Sequence, residues 1–163
     1  MGDAALHRLP GVERVGVEEA GERDAEHLLA VGYDRAGNWD LAQVCGHLAT
    51  WIRYPMDGYP KTPLLLKPVL FVVSRFVAPR MLQKALDTRV VKPNGPTVKE
   101  SVPPPGGDPA AAVAEFRATV ERYDGFAGLL LPSPVFGKLD RDTMTRLQVL
   151  HAEHHLSFLV PKA

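Results

Sequence analysis

Apolar side chains recur along this chain at intervals of three and four, the spacing that lines one face of a helix, and no stretch shows the strict alternation of a half-buried strand. Four segments carry the helical pattern. The first runs from about Val17 to Val31, with Val17, Ala20, Asp24, His27, Leu28 and Val31 near one face; acids crowd its opening turn, where the helix dipole favours them, and Gly32 ends it. The second starts after Asp40, a cap that Gln43 complements in a capping-box-like arrangement. Its stripe of Leu41, Val44, Leu48, Trp51 and Ile52 includes His47, so His47 faces the interior. The third has Asp108 as cap and Pro109 in the first turn, then Ala110, Val113, Phe116, Val120, Tyr123 and Ala127 before Gly128. The fourth opens at Asp140 and continues through Met144, Leu147, Gln148, His151, His155, Phe158 and Leu159.

Residues 55–108 break the pattern with Pro60, Pro63, Pro68, Pro79, Pro93, Pro96 and the run Pro103-Pro104-Pro105-Gly106-Gly107. Within them Leu64 to Leu86 is expected to form one or two short helices bounded by Pro68 and Pro79. So much proline cannot enclose a core, so the segment is a long crossover rather than a second domain. The expectation is an all-α chain: a four-helix bundle with a proline-rich crossover between helices 2 and 3, one domain over residues 1–163, with 1–16 irregular.

Composition narrows the setting. The single cysteine, Cys45, has no partner for an internal disulfide; it lies about 200° around the helix from His47 and reads as a buried apolar residue. The N-terminus lacks a basic start followed by an apolar core, and Leu6 occupies the position where a myristoylation signal has Ser or Thr. The apolar run Leu64 to Pro79 is shorter than the ~20 residues that span a bilayer and is interrupted by Lys67, Pro68 and Arg75, so Leu64 to Leu86 is expected to pack on the bundle as a lid or side wall rather than insert in lipid. These features point to a cytoplasmic protein with no membrane partner.

Charge is balanced overall but uneven. Residues 1–40 hold nine acids against four arginines, whereas residues 61–99 hold eight bases against Asp87 alone. That basic middle suits an anionic ligand or a membrane surface, or is a solvated face paired with acidic neighbours. Nucleic acid is not an expected partner, because no basic stripe is interleaved with aromatics.

The candidate chemistry lies in the histidines. At ~100° per residue His151 and His155 fall within about 40° of each other, whereas His154 stands about 100° from His155. A pair from one helix with His47 from another makes a three-histidine set, which leaves coordination positions open. The same spacing fits histidines packed in a core or solvated at a helix end, and spacing alone does not decide.

The stretch Gly37 to Ala49 (G-N-W-D-L-A-Q-V-C-G-H-L-A), the crossover and Phe136 to Leu159 (F-G-K-L-D-R-D-T-M-T-R-L-Q-V-L-H-A-E-H-H-L-S-F-L) together resemble the DinB/YfiT-like metalloenzyme superfamily. Within it the chain looks like a bacterial branch classed as domain of unknown function 1569. The resemblance implies a four-helix bundle in which one histidine of the second helix and two of the last hold a divalent metal, zinc or nickel. On this sequence the ligands would be His47, His151 and His155, with His154 outside the set. Superfamily members that transfer low-molecular-weight thiols often follow the last ligand with Arg-Gly-Gln, where this chain has Leu156-Ser157-Phe158; related branches often have His-Pro where it has Pro132-Ser133-Pro134. These departures leave the metal better supported than any particular reaction; the reaction the resemblance implies is metal-dependent transfer of a small-molecule thiol, with a non-catalytic metal- or ligand-binding bundle and a metal-dependent hydrolase as alternatives. A homodimer through an apolar helix face is also expected. Glu153 lies off the ligand face, and Trp39 and Trp51 are expected to supply wall.

Overall fold

Side-chain caps at Asp40, Asp108 and Asp140 start three of the helices where the sequence places them. The computed structural model describes residues 17–91 and 98–162, so the expectation of an irregular 1–16 lies outside the described residues, as do the side chains of Val17 and Ala20. Helix α1 (Val17–Val31) ends at Gly32, whose φ of +77° turns the chain into strand β1 (Tyr33–Arg35). Helix α2 (Leu41–Asp57) begins with a complete capping box: Asp40 accepts from the Gln43 N–H at 2.8 Å, and the Gln43 side chain accepts from the Asp40 N–H at 3.3 Å.

The chain then forms an uninterrupted helical run from Leu64 to Thr88. It comprises a 3₁₀ turn (Leu64–Leu66), α3 (Lys67–Val72), a π-helical turn (Val73–Val77) and α4 (Ala78–Thr88). Pro68 and Pro79 sit in the opening turns of α3 and α4, directly after the 3₁₀ turn and the π-helical turn where the helical pitch changes. After a 3₁₀ turn at Lys99–Ser101, α5 (Pro109–Asp124) starts on the Asp108 cap, and α6 (Arg141–Leu156) on Asp140, which accepts from the Thr143 N–H at 2.8 Å. Strand β2 (Leu159–Pro161) closes the chain antiparallel to β1, pairing Tyr33 with Pro161, Asp34 with Val160 and Arg35 with Leu159.

The described chain is mostly helical, as the periodicity requires, and differs from that reading at element ends. The β1–β2 ribbon is too short to show alternation, and it takes Leu159, which the helical stripe would have claimed, into a strand. Helix α5 stops at Asp124 rather than near Gly128, and α2 runs through Pro55 instead of ending there. Helix α2 packs most extensively on α5, α1 on α5 and α6, and α2 also meets α6. Tyr123, Phe116, Leu41, Leu48, Ile52, Val44 and Val120 fill the space between them. The lid expectation holds only for α4, which buries Ala78 and Leu82 and touches α6; the other large apolar side chains of the Leu64–Thr88 run are exposed or half-buried.

Two backbone details position the site. Pro55 has no N–H, so the carbonyl of Trp51, four residues back, loses its helical donor; the buried Gln148 amide of α6 donates to it instead at 3.3 Å. Gly46 lets the returning crossover lie directly on α2, since a Cβ there would stand 2.6 Å from Pro103 Cγ. The Gln43 amide donates to the Pro103 carbonyl at 3.1 Å beside it. Gly46→Ala therefore sets a gain of up to ~1 kcal/mol in helix propensity against an overpacking cost of ~1–3 kcal/mol. Net destabilisation is expected in urea unfolding, and a more stable variant would show that Pro103 does not press on α2.

Candidate metal centre

His47, placed on the inner face of α2 by the Leu41–Leu48 stripe, is 1% exposed. Its Nε2 lies 3.3 Å from Nε2 of His151, which in turn lies 3.0 Å from Nε2 of His155, one helical turn further along α6. The ligand atoms of these three residues all fall within 4.8 Å of one another, and no carboxylate or thiol among the described residues joins them. The three histidines singled out from the sequence thus converge, and they are close enough to bind one metal ion.

The hydrogen-bond network assigns the tautomer of His47. Ser101 donates its hydroxyl proton to the Val98 carbonyl at 2.6 Å, which leaves its Oγ an acceptor. His47 Nδ1 lies 3.0 Å from that Oγ and 3.2 Å from the Ser101 carbonyl. Both partners accept, so the proton sits on Nδ1 and the lone pair of Nε2 points into the cluster. Sequence reasoning missed Ser101: it lies in the proline-rich crossover, and no spacing rule links it to His47. The only local hint is that a ligating histidine needs an acceptor for its second nitrogen.

Burial keeps the rings neutral. It lowers the pKa of His47 to about 4, against a smaller opposing effect of the Ser101 backbone bond. It lowers His155 to about 3, with His47 and His154 adding to the fall, and His151 falls well below the usual range for the same reason. Neutral imidazoles are the form a metal needs. With three such rings turned toward one point, His151 Nε2 can either donate to or accept from a neighbour but not both, so at least one nitrogen at the centre has its lone pair or its N–H unanswered. A tetrahedral ion about 2.0–2.1 Å from two imidazole nitrogens holds them about 3.3 Å apart, which the His47–His151 and His151–His155 spacings of 3.3 and 3.0 Å approach.

The walls are aromatic. Trp39 stacks on His155 at 5.1 Å and 8° and meets His47 at 5.0 Å, while Trp51 sits edge-on to His151 at 4.9 Å. Trp51 Nε1 and His151 Nδ1 are buried without a hydrogen-bond partner among the described residues. His154 turns away from the cluster: its ring packs on His155 at 5.1 Å and Phe158 at 5.2 Å. His27 is exposed on α1, and Cys45 is buried with its thiol pushed up to about 12 by desolvation. Glu153, off the ligand face, is ion-paired with Arg89 at the end of α4.

The family described as "Protein of unknown function (DUF1569)" matches residues 17–162, and the chain belongs to it. No curated protein and no solved structure matches the chain. The matched span begins with α1 and includes all three histidines, both tryptophans and Ser101.

The buried rings give the metal-free protein a pH-dependent stability with a definite sign. As pH falls, unfolded histidine takes up a proton near its model-peptide value of about 6.5, whereas folded His47 does so only near 4. Stability is therefore constant above about pH 6.5 and declines between 6.5 and 4, by on the order of 3 kcal/mol from His47 alone. Urea midpoints across that window should fall steadily in the wild type and less in His47→Gln; a flat wild-type profile would show that the rings are not held neutral.

Proposed function

We propose that this chain is a DinB-like four-helix bundle, a single domain, in which His47, His151 and His155 hold one divalent metal ion. Zinc and nickel are the favoured ions, and metal-dependent transfer of a low-molecular-weight thiol is the favoured reaction. The observation that carries the reading is the convergence of three neutral imidazoles, one of them with its proton fixed on the outer nitrogen. When bound, such an ion supplies Lewis acidity that lowers the pKa of a thiol or water beside it.

The chain's own residues do the rest. Ser101 holds the His47 ring in one orientation and one tautomer. Trp39 and Trp51 exclude water from two sides of the cluster, which strengthens every electrostatic interaction inside it. No carboxylate among the described residues stands at the cluster to act as general base, and Glu153 is engaged by Arg89. This favours a thiol, whose free pKa of about 8.5 lies close to neutrality, over water as the nucleophile. The same sparse polar inventory supports a second reading, a metal- or ligand-binding bundle without turnover; hydrolysis is the least supported.

Metal titration of single variants, read by stoichiometry and affinity, tests the ligand set. His47→Ala, His151→Ala and His155→Ala should each lose tight stoichiometric binding. His154→Ala should cost no more than the roughly 10–100-fold of an outer-sphere change, and Ser101→Ala should fall in that same range. If His155→Ala keeps full affinity while His154→Ala loses it, the assignment is wrong. Conjugation of a thiol to an electrophile by the loaded wild type, absent in the His47 variant, then separates transferase from passive binder.

A further inference from the structure

The Leu64–Thr88 run presents its apolar stripe to solvent. Leu65, Val69, Val72 and Phe76 recur at i, i+4, i+7 and i+11 and are 91, 57, 52 and 56% exposed; Leu64, Phe71 and Met81 are exposed beside them. On the other side of the run Lys67, Leu70 and Ser74, with Phe71 at the edge between the two sides, border a shallow depression against Thr62 and Pro134, and Ala78 and Leu82 are buried. This reverses the usual surface helix, whose apolar stripe faces the core. A contiguous exposed stripe of this kind marks a surface that meets something else.

Charge identifies the occupant. Residues 61–86 carry Lys61, Lys67, Arg75, Arg80 and Lys84 and no acid. All five cations are exposed, and none forms an ion pair among the described residues. A second copy of the chain docking through this face on a two-fold axis would bring the cations onto their own equivalents with only Asp87, already hydrogen-bonded to Gln83, to answer them. An anionic lipid surface answers both features at once, taking the apolar side chains at the acyl boundary and the cations at the headgroup phosphates.

We propose that the Leu64–Thr88 run is an interfacial helix that lies flat on an anionic membrane. No helix among the described residues is long and apolar enough to cross a bilayer, so the contact is peripheral. The sequence expectation of no membrane partner rested on that spanning length, and lying flat does not require it.

Cosedimentation of the full chain with phosphatidylcholine vesicles, with and without phosphatidylserine, at low and at high salt, tests the proposal. Binding is expected to the serine-containing vesicles and to weaken with salt. Arg75→Gln with Arg80→Gln should weaken it about thirtyfold, because two cations beside Phe76 no longer meet the headgroups. Val72→Asp with Phe76→Asp should abolish it, while circular dichroism shows both variants still folded, because all four side chains are exposed. Failure to bind the anionic vesicles would overturn the proposal. So would binding that these variants leave unchanged, or a dimer in sedimentation velocity that Val72→Asp with Phe76→Asp splits while vesicles go unbound.

Discussion

Pro55 takes one N–H out of the last turn of α2, and the carbonyl this frees is met from another helix, by Gln148 of α6. The bond lies one turn from His47 along α2 and one turn from His151 along α6. A slip of α6 by a single turn would strand a buried carbonyl and a buried amide together, each at a cost of about 1–3 kcal/mol. The register that satisfies Pro55 is the register that brings the two histidine-bearing helices into contact. The imidazoles meet because the backbone has already fixed where they stand.

The cluster itself works against folding until something answers the nitrogen left unsatisfied at its centre. Desolvation by the core and by Trp39 and Trp51 strips the rings of protons, and convergence then points their nitrogens at one another. Such frustration is tolerated where it serves a site and is uncommon elsewhere in a well-packed interior. The polar chemistry around it is correspondingly thin: one serine, two indoles, and an acid already committed to Arg89.

Much of this is legible in the sequence because it follows from local rules. The caps Asp40, Asp108 and Asp140 and the 3–4 spacing place the starts of three helices, and the i, i+4 geometry separates His155 from His154. What escapes is non-local. Ser101 reaches His47 from 54 residues away through a crossover that shows no period. The match of Gln148 to the Trp51 carbonyl needs the packing of two helices to be known first. The β1–β2 ribbon exists because Gly32 and the end of α6 bring two short extended segments together, not because either is a strand former. The Leu64–Leu86 run has the composition of core, and only the packing reveals that its stripe faces out.

The π-helical turn at Val73–Val77 sits between the part of that run that faces solvent and the part that packs on α6. A π turn accommodates one residue more than an α turn, so it acts as a phase adapter, rotating α4 by roughly 100° relative to a regular continuation of α3. The outward stripe and the inward pair Ala78 and Leu82 belong to a single rod but answer to two different angular frames. Removing one residue from the turn would restore a uniform helix and force a choice between them, with either α4 swinging off α6 or the stripe turning under. The length of five residues is thus a constraint in its own right, separate from the identity of any side chain within it.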